Sequence, residues 1–114
     1  MSFLNSVFGP TVPAVDVVFL KAAREAGQVP VLVDVRTPEE YQGGHVPGAV
    51  LMPLADFAQT VDQLAPYKGQ EIYVICRSGA RSARACGILA DRGYKGVNIE
   101  GGTMAWVAQG WPVE

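Results

Sequence analysis

Ile72-Tyr73-Val74-Ile75-Cys76-Arg77-Ser78-Gly79-Ala80-Arg81-Ser82 sets the reading of this chain. A short run of β-formers ends at Cys76, and two arginines and a glycine follow within five residues. Ser82-Ala83-Arg84-Ala85-Cys86-Gly87-Ile88-Leu89-Ala90 then reads as a helix over 82–92, closed by Gly93. The thiol is thus expected at the carboxyl end of a buried strand, 72–76, in a loop that feeds a helix N-terminus. That placement makes an anion site. Loop and first-turn N–H groups have no partners inside the helix, and the helix dipole adds partial positive charge. Arg77, Arg81 and Arg84 add formal charge. A cysteine held there ionises more easily than a free thiol, whose pKa is about 8.5. The loop reads as one that holds a thiolate and draws an anionic substrate to it.

Elements alternate on either side of this stretch. Val15, Val18, Phe19, Ala22, Ala23 and Ala26 recur at helical spacing and predict one face of a helix that Gly27 stops. Val31-Leu32-Val33-Asp34-Val35 is an apolar run suited to a strand buried on both faces. Thr37, Pro38 and Glu40 form a helix start, with a capping residue, a first-turn proline and a capping box, and Gly43-Gly44 ends that helix. Ala49 to Met52 is a third strand-like run, and Leu54 to Leu64 reads as one or two short helices. Tyr67 to Gln70 is a turn, Val97-Asn98-Ile99 one more strand, and Gly101-Gly102 precedes a last helix with Met104, Val107 and Ala108 on one face. Trp106 and Trp111 are expected to cover the core near the carboxyl end. This alternation predicts the α/β class: a mostly parallel sheet covered by helices on both faces. In such sheets ligands bind beyond the carboxyl ends of the strands, where Cys76 falls.

Composition narrows the function. The 114 residues suffice for one domain, and residues 1–13, broken by Gly9-Pro10 and Pro13, read as a lead-in whose Phe3, Leu4, Val7 and Phe8 either pack on the domain or a partner or form a disordered tail. Hydrophobic content of 49% and charged content of 18% suit a globular core. A net charge of −2 argues against a nucleic-acid binder, and the local positive charge of the cysteine loop suits a small anion. No run reaches the roughly 18 apolar residues of a membrane span. The first residues lack the basic start and apolar length of a secretory signal, so a cytoplasmic location is the expectation. Cys76, Cys86 and His45 cannot supply four ligands for a structural zinc. Helix rise puts Cys76 and Cys86 roughly 15 Å apart, beyond disulfide reach.

Several motifs then fall into a known order. Asp34-Val35-Arg36, Glu40-Tyr41, Gly44-His45-Val46-Pro47-Gly48-Ala49, Cys76-Arg77-Ser78-Gly79-Ala80-Arg81-Ser82, and Glu100-Gly101-Gly102 with Trp106, Gly110 and Pro112 together resemble a single-domain rhodanese over residues 14–114. The resemblance implies a three-layer α/β fold around a five-stranded parallel sheet. It also implies sulfurtransferase chemistry. Cys76 takes a sulfane sulfur from a thiosulfate-type or persulfide donor and becomes a persulfide, and cyanide, a thiol or a protein acceptor removes that sulfur. No metal or organic cofactor is implied.

Two rivals remain. One is a sulfur-carrier or partner-binding module of the same fold; such modules often lack the loop cysteine that this chain keeps. The other is a cysteine-loop phosphatase or arsenate reductase. Those relatives have a loop one residue longer and commonly a histidine before the nucleophile, whereas the loop here runs six residues, Cys76 to Arg81, after Ile75. A shorter ring of N–H groups encloses one sulfur atom; a longer one cradles a tetrahedral oxyanion.

The remaining candidates carry specific expectations. Arg77 is the cation expected to meet the donor, and Arg81 to close the loop by pairing with an acidic group. Gly79 supplies an unusual backbone angle or room for substrate, Ser78 and Ala80 shape the mouth, and Ser82 caps the helix. Asp34 and Arg36 are expected as a hydrogen-bonded framework at the strand end, with Arg36 also able to attract anions. His45 is expected to tie down the Gly44–Gly48 turn, and Cys86 to pack in the core.

Overall fold

The computed structural model describes residues 12–114. The lead-in residues Phe3, Leu4, Val7 and Phe8 lie outside the described residues. Five strands, β1 (Ala14–Val15), β2 (Leu32–Asp34), β3 (Val50–Leu51), β4 (Glu71–Ile75) and β5 (Lys95–Ile99), form one sheet in the order β1-β5-β4-β2-β3. Every pairing is parallel. Helices α1 (Val17–Glu25), α2 (Pro38–Gln42), α3 (Phe57–Thr60), α4 (Ala80–Asp91) and α5 (Gly102–Ala108) join the strands, with 3₁₀ turns at Leu54–Asp56 and Val61–Tyr67 flanking α3.

Side-chain alternation explains the two covered faces. From β2 and β4, Val33, Ile72, Val74 and the adjoining Cys76 pack with Phe57, Val61, Ala85 and Leu89 on one side. Leu32, Tyr73 and Ile75, joined by Val97 and Ile99, pack with Val17, Leu20 and Trp106 on the other. Strands buried on both faces must be apolar at nearly every position, which is why they read as continuous runs.

The strand order fixes where a ligand can bind. From β2 the chain steps outward to β3, whereas β4 lies on β2's other side and β5 beyond it. The direction of winding therefore reverses between β2 and β4, and a crevice opens past their carboxyl ends. Asp34 pairs in register with Ile75, so Arg36 and Arg77 leave the sheet at the same level and flank that crevice.

Several placements differ from the sequence reading. Val15 is in an edge strand rather than on α1: Asn98 N donates to Pro13 O and Glu100 N to Val15 O, both at 2.8 Å, which satisfies the outer edge of β5. With Asp16 as the cap of α1, accepting from Phe19 N, the buried stripe rotates to Val17, Leu20 and Ala23, while Val18 and Phe19 face solvent. Helix α4 begins at Ala80 instead of Ser82, so Ser82 is inside its first turn and does not cap it. On α5 the face carrying Met104 and Val107 is the outward one, at 50% and 53% exposure, because Thr103 and Trp106 take the inner face. Trp106 donates from Nε1 to Pro112 O at 2.8 Å, and Trp111 packs edge-on against it. No helix among the described residues is long and apolar enough to cross a membrane.

Candidate active site

Cys76 is the first residue past β4, and the loop that follows turns back over its sulfur. Gly79 makes that turn possible. Its φ of 115° lies in the region that favours glycine, and it is the residue from which α4 starts. So placed, Gly79 N donates to Cys76 Sγ at 3.1 Å. Ser82, on the first turn of α4, presents its hydroxyl to the same sulfur at 3.3 Å.

The electrostatic outcome follows from competing effects. Burial pushes the Cys76 thiol up, since its residue is only 1% exposed. The Ser82 hydroxyl and the backbone N–H groups of Ser82, Gly79 and Ser78 favour the thiolate, and together they outweigh burial, so the thiol is held below its ordinary value. Cys86 lacks such donors, and burial alone pushes it up to about 12. Both cysteines are free thiols.

A second helix buttresses the loop from below. Thr103 N donates to Cys76 O at 2.8 Å, Thr103 Oγ1 to the same oxygen at 3.1 Å, and Met104 N to Arg77 O at 3.0 Å. These are first-turn N–H groups of α5, which need partners outside their helix. They reach the loop because Gly102 carries no side chain. A Cβ there would lie 2.4 Å from Cys76 O and 2.6 Å from Arg77 O, and φ is +56°.

Arg81 closes the ring from α4. Its Nη1 and Nη2 donate to Glu40 Oε1 and Oε2 at 2.7 and 2.9 Å, a two-point pair that ties α4 to α2. Glu40 also completes the capping box of α2 with Thr37. The Arg81 hydrogen bonds, against an opposing effect of burial and with help from Thr37, hold the Glu40 carboxyl at about 2. Arg77, by contrast, is exposed and has no ion-pair partner among the described residues.

Asp34 and Arg36 form a buried fork at the end of β2. Asp34 is fully buried and accepts from Arg36 N, Nε and Nη2 at 2.8–3.1 Å, and Arg36 Nη2 also donates to Gly44 O. His45 is not brought to Cys76. Its ring stacks on Tyr41 at 3.6 Å, its Nδ1 lies 2.9 Å from Tyr41 O, and its backbone exchanges two hydrogen bonds with Glu114.

Thr103 and one further residue at the site were not singled out from the sequence. Asn98, 8% exposed on β5, accepts from Ser82 Oγ at 2.5 Å and donates from Nδ2 to Gly79 O at 3.1 Å. Its signal was available: a polar residue between Val97 and Ile99, in a strand otherwise buried on both faces, needs a buried partner.

The family model described as a rhodanese-like domain matches residues 17–109. The chain belongs to the rhodanese-like family. It is 41% identical over 93 residues to a putative sulfurtransferase, YtwF, of Bacillus subtilis, covering 82% of this chain and 88% of that protein. It is 39% identical over 83 residues to a sulfurtransferase of Allochromatium vinosum, covering 72% and 76% respectively. Among solved structures, a rhodanese-related protein of Thermoplasma volcanium superposes with a TM-score of 0.80 at 26% identity, covering 90% of this chain and 97% of the other. The rhodanese-like fold expected from the motifs, with its five-stranded parallel sheet, is therefore present.

Proposed function

We propose that this rhodanese-like domain is a sulfurtransferase that carries a sulfane sulfur on Cys76. The observation that supports it best is the pocket around Sγ, where a buried sulfur meets the Gly79 N–H and the Ser82 hydroxyl and its thiol is held below its ordinary value. Such a sulfur is a nucleophile that needs no separate base.

In the first half-reaction the Cys76 thiolate attacks the sulfane sulfur of thiosulfate. A bond forms between Sγ and that sulfur, the donor's own S–S bond breaks, and sulfite leaves with the electron pair. In the second, cyanide or a thiolate attacks the outer sulfur of the persulfide. The S–S bond breaks and the electron pair returns to Sγ, where the same donors receive it. Ser78, Gly79 and Ser82 N–H groups and the dipole of α4 stabilise the negative sulfur. Arg77 meets the anionic donor, while Arg81, held by Glu40, keeps the loop closed. Two free cysteines suit a reducing compartment such as the cytoplasm.

Intact-mass measurement tests this. Incubation with thiosulfate adds one sulfur atom to the chain, cyanide removes it as thiocyanate, and Cys76→Ser abolishes the gain. No gain in the wild-type chain with any sulfane donor, or an undiminished gain in Cys76→Ser, overturns the proposal.

A further inference from the structure

A groove of about 430 Å³ runs between α4 and β5, at the end of the sheet away from the cysteine loop. Glu71 and Lys95, the first residues of β4 and β5, stand at it, whereas Cys76 follows the last residue of β4. Its lining is mainly apolar. Cys86 and Val97 are buried there, Gly87 and Ala90 of α4 are more open, and Val12 and Pro13 complete it. Gly87 leaves the hollow: a Cβ built on it meets no neighbouring atom within 4 Å. No residue that handles sulfur at Cys76 lines this groove.

Two observations say what covers it. One is the path of the chain. β1 runs parallel to β5, with Ala14 opposite Asn98, so the chain enters β1 from the amino end of β5, where the groove lies. Val12 and Pro13, the first described residues, already line it, and Val12 packs on the core cluster that holds Cys86. Residues 1–11 are thus attached at the groove itself. Phe8 precedes Val12 by four residues, about 13 Å of extended chain, and Gly9-Pro10 between them is a turn dipeptide.

The other is composition. Met1 to Thr11 has no acidic or basic side chain and carries Phe3, Leu4, Val7 and Phe8. Seating these residues against an apolar lining strips water from no charged side chain. A tether this short also holds them at an effective concentration on the order of millimolar, which favours them over a free apolar molecule.

We propose that residues 3–8 of this chain dock in the groove between α4 and β5, with Val7 and Phe8 against Ala90 and Val97, as a latch on the end of the sheet remote from Cys76. The latch acts on stability and is independent of the sulfur chemistry. Among the described residues the outer edge of β5 is paired only at Asn98 and Ile99, so the docked segment covers the part of β5 that β1 leaves open.

Nuclear Overhauser contacts in the full chain test this. In the wild type, Val7 methyls and the Phe8 ring give cross-peaks to the Ala90 and Val97 methyls, and the chain sediments as a monomer. Phe8→Asp removes the Val7 cross-peaks as well as its own. It also speeds amide exchange over residues 86–91 and 95–97 by about tenfold, through loss of one seated aromatic side chain. Gly87→Leu fills the hollow from α4 and leaves the segment's own sequence intact. It too removes the cross-peaks, while the Gly79 and Ser82 amide shifts stay at their wild-type values and report an intact fold. Wild-type spectra without the cross-peaks, or Gly87→Leu spectra that retain them, overturn the proposal. So do exchange rates that Phe8→Asp leaves unchanged, and a dimer in which mixed labelled and unlabelled chains place the cross-peaks between two copies.

Discussion

Replacing Glu40 by glutamine separates two jobs of one side chain. Glu40 Oε1 accepts from Thr37 N at 3.0 Å in the capping box of α2, and a glutamine amide oxygen can do the same. Glutamine cannot supply the charge that holds both ends of the Arg81 guanidinium. The carboxyl is held at about 2 against an ordinary 4.5, first by the Arg81 hydrogen bonds. At face value that depression corresponds to roughly 3 kcal/mol. Both side chains keep about a third of their surface in water, at 33% and 30%, so solvent screening cuts the contribution to about 1 kcal/mol. For a domain of this size the melting temperature of Glu40→Gln then falls by roughly 4 °C at neutral pH. The sign with pH is fixed. A carboxyl with a depressed folded-state pKa stabilises fully above its unfolded value and loses that contribution as pH falls toward its folded value. The gap between wild type and variant therefore closes from about 4.5 down to about 2. Thermal melts followed by circular dichroism across that range measure it. Equal stability at neutral pH, or a gap that stays constant down to pH 2, would refute the pairing argument.

Three further outcomes follow from the same geometry. Iodoacetamide at neutral pH alkylates Cys76 and spares Cys86, whose thiol at about 12 leaves only about one thiolate in 10⁵ molecules; peptide mapping that finds Cys86 modified first would contradict this. Ser82→Ala raises the titration midpoint of Cys76, read from thiolate absorbance, whereas Asn98→Leu lowers it, because the single Ser82 proton loses its nearer acceptor; in the Ser82→Ala background the Asn98 substitution no longer lowers it, and a midpoint that Ser82→Ala leaves unmoved would contradict this. Gly102→Ala drives a Cβ into the Cys76 and Arg77 carbonyls, so urea titration finds it about 2–3 kcal/mol less stable and sulfur loading is slowed; stability within 0.5 kcal/mol of wild type, on the order of a neutral surface change, would show that the α5 buttress is loose.

The parts of the fold visible in the sequence were those whose physics is local. Thr37, Pro38 and Glu40 announce α2 by capping chemistry alone, and the runs at β2 and β4 announce buried strands by composition. What escaped was set by distant partners. Two residues, Ala14–Val15, are too few to show a strand period, and their pairing depends on β5, more than 80 positions away. The stripe of α1 was misplaced because the edge strand takes Val15 out of the helix. On α5, Met104 and Val107 carry the apolar spacing of a core face, yet Thr103 is drawn inward by the Cys76 carbonyl, which no local pattern reveals. At the candidate site, Cys76 and its arginines are contiguous and so could be read together. Asn98 reaches the same sulfur environment through strand register, where it lies opposite Val74, two residues before the cysteine.

The two cysteines show what the fold adds to the chemistry of one residue type. Cys76 and Cys86 are about equally buried, at 1% and 2% exposure, and both pack in the same apolar cluster. Burial alone would treat them alike, and at Cys86 it acts unopposed. At Cys76 the chain has just left the sheet, so its neighbours' N–H groups are free of ladder and helix partners and turn toward the sulfur. The cost of removing water from that position is outweighed because the donors that replace it are fixed by Gly79 on one side and by α5 on the other. A sulfur that is buried yet easily ionised is therefore a consequence of where the strand ends, and the same sequence motif placed mid-helix would give a thiol like Cys86.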